Sequence, residues 1–139
     1  MPKIEYVQDM MESEELLEKL CPPVRNWFKD KFPDFTHPQK VAIPKIMDGE
    51  HLLLCSPTGS GKTLTAFLTV IDDLVSRSLD GSLENSVQCM YISPIKALAN
   101  DIQKNLIGPL TEIKESYLPS KAKDITVGLR TGDTPQKER

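Results

Sequence analysis

Ser56-Pro57-Thr58-Gly59-Ser60-Gly61-Lys62-Thr63 lies where a short apolar run hands over to a long amphipathic pattern. Upstream, residues 52–55 (LLLC) form a continuous apolar run of the kind that suits a strand buried on both faces. Downstream, Leu64, Phe67, Leu68, Ile71, Leu74 and Val75 recur at helical spacing and mark one face of a helix ending near Leu79. Between the two, Gly59 and Gly61 admit backbone angles that a side chain would block, so successive N–H groups can turn into one concavity. At a helix N-terminus such a concavity suits the β- and γ-phosphates of a nucleotide. Lys62 adds a positive charge directed at the same phosphates, and the Thr63 hydroxyl is a hard oxygen ligand for Mg²⁺. The general pattern is G-x-x-x-x-G-K-[ST]; here Ser56 holds its first position. A chance Gly-Ser-Gly turn with Lys62 merely solvated is the bland alternative. It would have to produce the strand, the glycines, the lysine and the threonine together.

Reading outward, residues 12–20 (ESEELLEKL) predict a short acidic helix stopped by Cys21-Pro22-Pro23. A second helix is expected over 23–31, with Pro in its first turn and Val24, Trp27 and Phe28 on one face. Pro33-Asp34-Phe35-Thr36-His37-Pro38 breaks the chain, and Thr36 is the expected N-cap of a third helix that turns Val41, Ala42 and Ile46 inward. After Asp80-Gly81-Ser82, residues 87–93 (VQCMYIS) read as a second buried strand. Helices follow over 95–106 and 110–118, separated by a break at Gly108-Pro109. Residues 125–130 (ITVGLR) read as a third strand, with a turn at Thr131-Gly132-Asp133. Strand, helix, strand, helix, strand is the order of a parallel α/β sheet with crossover helices.

The chain has 139 residues, with Lys plus Arg 17, Asp plus Glu 20 and a net charge of −3. A hydrophobic fraction of 39% and a charged fraction of 27% fit one folded domain and exclude a low-complexity or strongly basic chain. The charge argues against binding nucleic acid by bulk attraction, though not through a few placed lysines and helix N-termini. Three cysteines without C-x-x-C spacing and two histidines make a zinc site improbable. Cys55 and Cys89 lie in apolar runs and are expected as buried, reduced thiols, a pattern that fits a reducing cytoplasm. No run approaches the length of a membrane span, and the acidic N-terminus does not read as a signal peptide. A cytoplasmic protein with no membrane partner is the expectation. Arg77 and the lysines within 114–123 read as solvated charges.

Three further segments narrow the class. S-P-T-G-S-G-K-T closely resembles motif I of superfamily 2 helicases, in which Ser or Ala is normal at the first position. Phe32-Pro33-Asp34-Phe35-Thr36-His37-Pro38-Gln39 resembles the Q-motif region of DEAD-box-type helicases. Pro94-Ile95-Lys96-Ala97-Leu98-Ala99 resembles motif Ia, and Arg130-Thr131-Gly132-Asp133-Thr134 a motif Ib turn. Together these segments are similar to the start of the large helicase-related (Lhr) family of DEAD/DEAH-type helicases, over roughly residues 24–139.

The resemblance implies a three-layer, RecA-like P-loop fold, incomplete in this chain. It divides the chain into an acidic helical extension (1–22) and the first part of helicase domain 1 (23–139). It implies that Ser56, Pro57, Thr58, Gly59, Ser60, Gly61, Lys62 and Thr63 hold ATP and that Thr63 ligates Mg²⁺. Gln39 would hydrogen-bond adenine, whose adjacent acceptor and donor match one carboxamide. Phe32, or Phe35, would stack on the base, although the usual Pro-Thr before the glutamine is missing at the DEAD-box spacing. Pro94, Ile95, Lys96, Thr131, Gly132 and Asp133 would follow the phosphates of a single- or double-stranded DNA or RNA. An ordinary exposed lysine at 96, a surface glutamine at 39 and a turn-forming aspartate at 133 remain the plain alternatives.

The family's hydrolytic carboxylates (D-E-x-H or D-E-A-D) do not follow motif I in this sequence, and its arginine fingers belong to a second domain. No catalytic residue is therefore assigned. The chain is expected to be part of a longer ATP-dependent helicase, bound to ATP and nucleic acid but inactive in isolation. A stand-alone ATP-binding interaction module and a small-molecule phosphotransferase using the same loop are the rivals.

Overall fold

The apolar face read from residues 64–75 becomes the helix around which the chain is built. In the computed structural model, which describes residues 1, 3–94 and 99–138, this is α4 (Lys62–Asp80), with Leu68, Ile71 and Val75 fully buried. The N-terminal helices α1 (Ser13–Lys19), α2 (Pro22–Lys31) and α3 (His37–Met47) pack beside it; α3 runs along α4, and α2 touches both α4 and the later α6. Leu16 and Leu20 from the acidic N-terminal region join Val24, Trp27, Phe28, Ile43 and the α4 face in one core. Each such fully buried side chain is worth about 1.5–3 kcal/mol.

Local chemistry sets the helix ends. Thr36 caps α3 in a reciprocal box: its hydroxyl accepts from the backbone N–H of Gln39, and its own N–H donates to Gln39 Oε1 at 2.9 Å. Inside α3, Ala42 and Ile43 are buried, while Val41 and Ile46 are only half-buried. Pro44 has no N–H, so the Lys40 carbonyl one turn earlier has no helical donor there; the N–H of Met11 donates to it at 3.1 Å. Arg25 reaches back from α2 to the end of α1. Its Nε donates to Leu17 O at 2.8 Å, and Nη2 donates to Glu18 O at 3.1 Å and Leu20 O at 2.8 Å, closing carbonyls that a helix end leaves open. Asp72 of α4 accepts the N–H of Cys21, the residue before α2, at 2.7 Å.

The expected break at Gly108-Pro109 is not there. From α5 (Ala99–Ile102) the chain passes through a π-helical turn (Gln103–Ile107) directly into α6 (Gly108–Ser116). The proline sits in the first turn of α6, directly after the π-helical turn, whose wider bonding, as in Gly108 N–H to Gln103 O, lets the helix run past a residue without an N–H. The start expected at Ile95 lies outside the described residues.

No β-strand forms among the described residues, so the parallel sheet expected from 52–55, 87–93 and 125–130 is not assembled. A strand acquires its hydrogen bonds only from a neighbour about 4.8 Å away, and these segments have none. Most of their apolar side chains lie open, Leu53 at 87% and Ile92 at 82% exposure, whereas Ile125 is buried in the core. Cys55 and Cys89, expected to be buried, are exposed for the same reason. A cavity of about 1030 Å³ remains between α4, the π-helical turn and the extended segments.

Three charges expected to be merely solvated instead make bonds: Arg77 and Lys114 tether the segments 87–93 and 125–130, and Lys123 joins the loops beside them. Arg77 Nη1 donates to Gln88 Oε1 at 2.7 Å. Lys123 Nζ donates to Leu83 O at 3.0 Å, and Lys114 Nζ to Ile125 O at 3.1 Å. No helix of the described residues is long and apolar enough to cross a membrane.

Candidate nucleotide-binding site

The loop before α4 turns at Thr58 and Gly59, and Gly59 (φ 83°) and Gly61 (φ 84°) both lie in the left-handed region. A side chain at Gly61 would be doubly excluded, since a Cβ there would fall 2.7 Å from Gln39 Nε2. Gly61 caps α4, a helix of 19 residues with no acidic side chain in its first turn. The positive end of the helix and its free N–H groups therefore meet the loop uncompensated.

Across this turn Lys62 Nζ donates to Ser56 O at 2.6 Å, and Ser60 N–H donates to Pro57 O at 3.3 Å. The hydroxyls of Ser56 and Ser60 bond to each other. Pro57, Thr58, Gly59 and Lys62 are exposed; Ser56, Ser60, Gly61 and Thr63 are half-buried. Lys62 and Thr63 also border a cavity of about 470 Å³, shared with Glu50, Leu54 and Tyr91. Behind the loop, the fully buried Thr65 donates its hydroxyl to Gly61 O at 2.7 Å and its N–H to the same oxygen at 2.9 Å, which fixes the start of the helix.

The Q-motif-like segment is brought to the loop through a residue read from the sequence only as a cap. Thr36 Oγ1 donates to Ser60 O at 2.8 Å. Gln39 lies beneath Gly61 at 3% exposure, and its Oε1 is taken by the Thr36 N–H. The T-x-x-Q spacing of a capping box carries that signal in the sequence. Of the two aromatics offered for base stacking, Phe35 belongs to the core: it is 5% exposed and stacked on Phe28 at 4.1 Å. Phe32 ends α2 at 37% exposure, its ring against Phe28 and Trp27.

For nucleic acid, Pro94 is exposed, while Ile95 and Lys96 lie outside the described residues. Thr131, Gly132 and Asp133 form the expected turn. It is closed by Thr131 N–H to Thr134 Oγ1 at 2.7 Å and by Asp133 N–H to Thr131 Oγ1 at 3.2 Å.

The residues fit Mg²⁺ in part. Thr63 offers one hard oxygen beside the hollow, and the described residues hold no group of three or more His, Cys, Asp or Glu that could form a cage.

The loop before α4, tied to the capped α3 through Thr36 Oγ1 on Ser60 O, carries the glycine, lysine and threonine pattern of the P-loop class. The chain matches the DEAD/DEAH box helicase family over residues 36–138 and belongs to that family, whose helicase domain implies a RecA-like P-loop fold. It is 43% identical to the ATP-dependent helicase Lhr-Core of Methanocaldococcus jannaschii, over 100% of this chain and 17% of that protein. It is 46% identical to the Lhr-Core helicase of Sulfolobus acidocaldarius, over 91% of the chain and 14% of that protein. It is 44% identical to the Lhr helicase/probable uracil glycosylase of Mycolicibacterium smegmatis, over 83% of the chain and 8% of that protein. The chain thus spans less than a fifth of the length of these relatives.

Proposed function

We propose that this chain supplies the ATP-binding part of an ATP-dependent helicase of the Lhr kind, within a polypeptide that moves on DNA or RNA. The observation that carries the reading is the loop itself: left-handed Gly59 and Gly61 at the uncompensated start of α4, with the Lys62 ammonium lying over the turn. In this reading the triphosphate replaces the Ser56 carbonyl as partner of Lys62, and backbone N–H groups from Thr58 to Thr63 surround its oxygens. Thr63 would hold Mg²⁺, which neutralises charge on the β- and γ-phosphates when bound. Phe32 would stack on adenine. Recognition of adenine by Gln39 requires its carboxamide, now 3% exposed beneath Gly61, to become accessible; its Oε1 has a second lone pair besides the one that accepts from the Thr36 N–H.

A three-layer sheet would form once the segments 52–55, 87–93 and 125–130 gain neighbouring strands, placing Pro94, Ile95 and Lys96 and the 131–133 turn along one nucleic-acid backbone. Water activation for hydrolysis needs positioned carboxylates, which the family draws from a D-E-x-H or D-E-A-D segment, and no such segment occurs within residues 1–139. The 139-residue chain is therefore expected to bind ATP without turnover.

The test is nucleic-acid-stimulated ATP hydrolysis by a longer polypeptide containing this chain. Lys62→Ala should abolish it, and the 139-residue chain should show none. Undiminished hydrolysis in the Lys62→Ala protein would refute the assignment.

A further inference from the structure

Two donors of the loop are bonded within the loop itself. Two groups that a triphosphate would use, the Lys62 ammonium and the Ser60 N–H, are instead given to Ser56 O at 2.6 Å and Pro57 O at 3.3 Å. The Ser56 hydroxyl closes the same turn by pairing with the Ser60 hydroxyl, and Ser60 is held from its other side by Thr36 Oγ1 on its carbonyl at 2.8 Å. Ser56 therefore enters this arrangement twice, through its carbonyl and through its side chain. The general motif carries glycine at that position, which has no hydroxyl to offer.

We infer that the Ser56 side chain is a latch: paired with Ser60, it holds the loop in its self-bonded state and sets how readily a nucleoside triphosphate enters. The inference rests on the proposed ATP reading. A nucleotide can use the Ser60 N–H, and the Lys62 proton now given to Ser56 O, only in loop conformers where the internal bonds are broken, so apparent affinity falls with the fraction of such conformers. Removing the hydroxyl leaves the Ser56 carbonyl, and with it the Lys62 contact, in place.

The test follows a fluorescent N-methylanthraniloyl ATP analogue, with Mg²⁺, by stopped flow on the full chain. Ser56→Ala and Ser60→Ala should each speed association and tighten binding about two- to tenfold, the range one hydrogen bond supplies. The double variant should do no more than either single one, because both remove the same bond. In nucleotide-free protein, the Ser60 amide should exchange with deuterium faster in Ser56→Ala than in the wild type. Unchanged association with unchanged exchange, or fully additive effects, would overturn the latch. Failure of the wild-type chain to bind the analogue would remove the ATP reading instead, and the exchange measurement would still decide whether the hydroxyl holds the loop shut.

Discussion

Glu112 accepts the indole N–H of Trp27 at 2.7 Å and the Lys31 ammonium at 3.0 Å, and these donors, Trp27 foremost, hold its carboxyl below the ordinary glutamate range. A depressed acid contributes stability that is complete above its unfolded pKa and is lost as pH falls through its folded one. Trp27 is the only tryptophan, so its fluorescence should change in acid at a pH below that of a free glutamate, and Glu112→Gln should remove the transition. A titration at the ordinary glutamate value would contradict the contact. Asp72 has the opposite sign. Burial raises its pKa, so its ionised form is disfavoured by folding, and its contribution is greatest at low pH and lost as pH rises through the raised value. Beside it the Cys21 thiol is pushed up to about 12, by burial first and the Asp72 charge second. Asp72→Asn keeps an acceptor for the Cys21 N–H and should leave thermal stability at neutral pH unchanged or higher. Thr36 was legible in the sequence as a cap, whereas its partner Gln39, read as an adenine contact or a surface glutamine, is buried at 3% exposure against it. Arg77, Lys114 and Lys123 were not legible, because each answers a carbonyl or amide on a segment whose position only the folded chain decides.

Helices were the most legible elements, because a 3.6-residue period and a cap are local properties. The start of α4 after Gly61 and the capping of α3 by Thr36 follow from the residues present. The π-helical turn does not, since continuing through Gly108-Pro109 depends on burying Pro109, Leu110 and Ile113. Two predictions belong at this scale. Leu68, fully buried at the centre of α4, should cost about 2–5 kcal/mol as Leu68→Ala in chemical denaturation. Pro44→Ala supplies an N–H able to claim the Lys40 carbonyl, so the Met11 amide that now uses it should lose protection from hydrogen exchange. Unaltered protection of Met11 would show that the proline gap does not hold the N-terminal segment.

At the scale of the whole molecule, the sequence pattern marked three apolar segments but could not supply their neighbours, and the structure leaves them extended and unpaired. A strand is defined by its partner more than by its own residues. The helices hold a core without the sheet, because α4 packs against α2, α3 and the π-helical turn, while α1 joins through α3 and α6 through α2 and the π-helical turn. The loop before α4 keeps its turn all the same, held by its left-handed glycines, the start of α4 and the Thr36 hydroxyl behind it. The most direct measurement is an amide NMR titration of the chain with ATP and Mg²⁺. Saturable shifts should concentrate on Thr58 to Thr63 and weaken at least about tenfold in Lys62→Ala, which loses a charge-assisted contact. Shifts spread elsewhere, or binding indifferent to Lys62→Ala, would contradict the account.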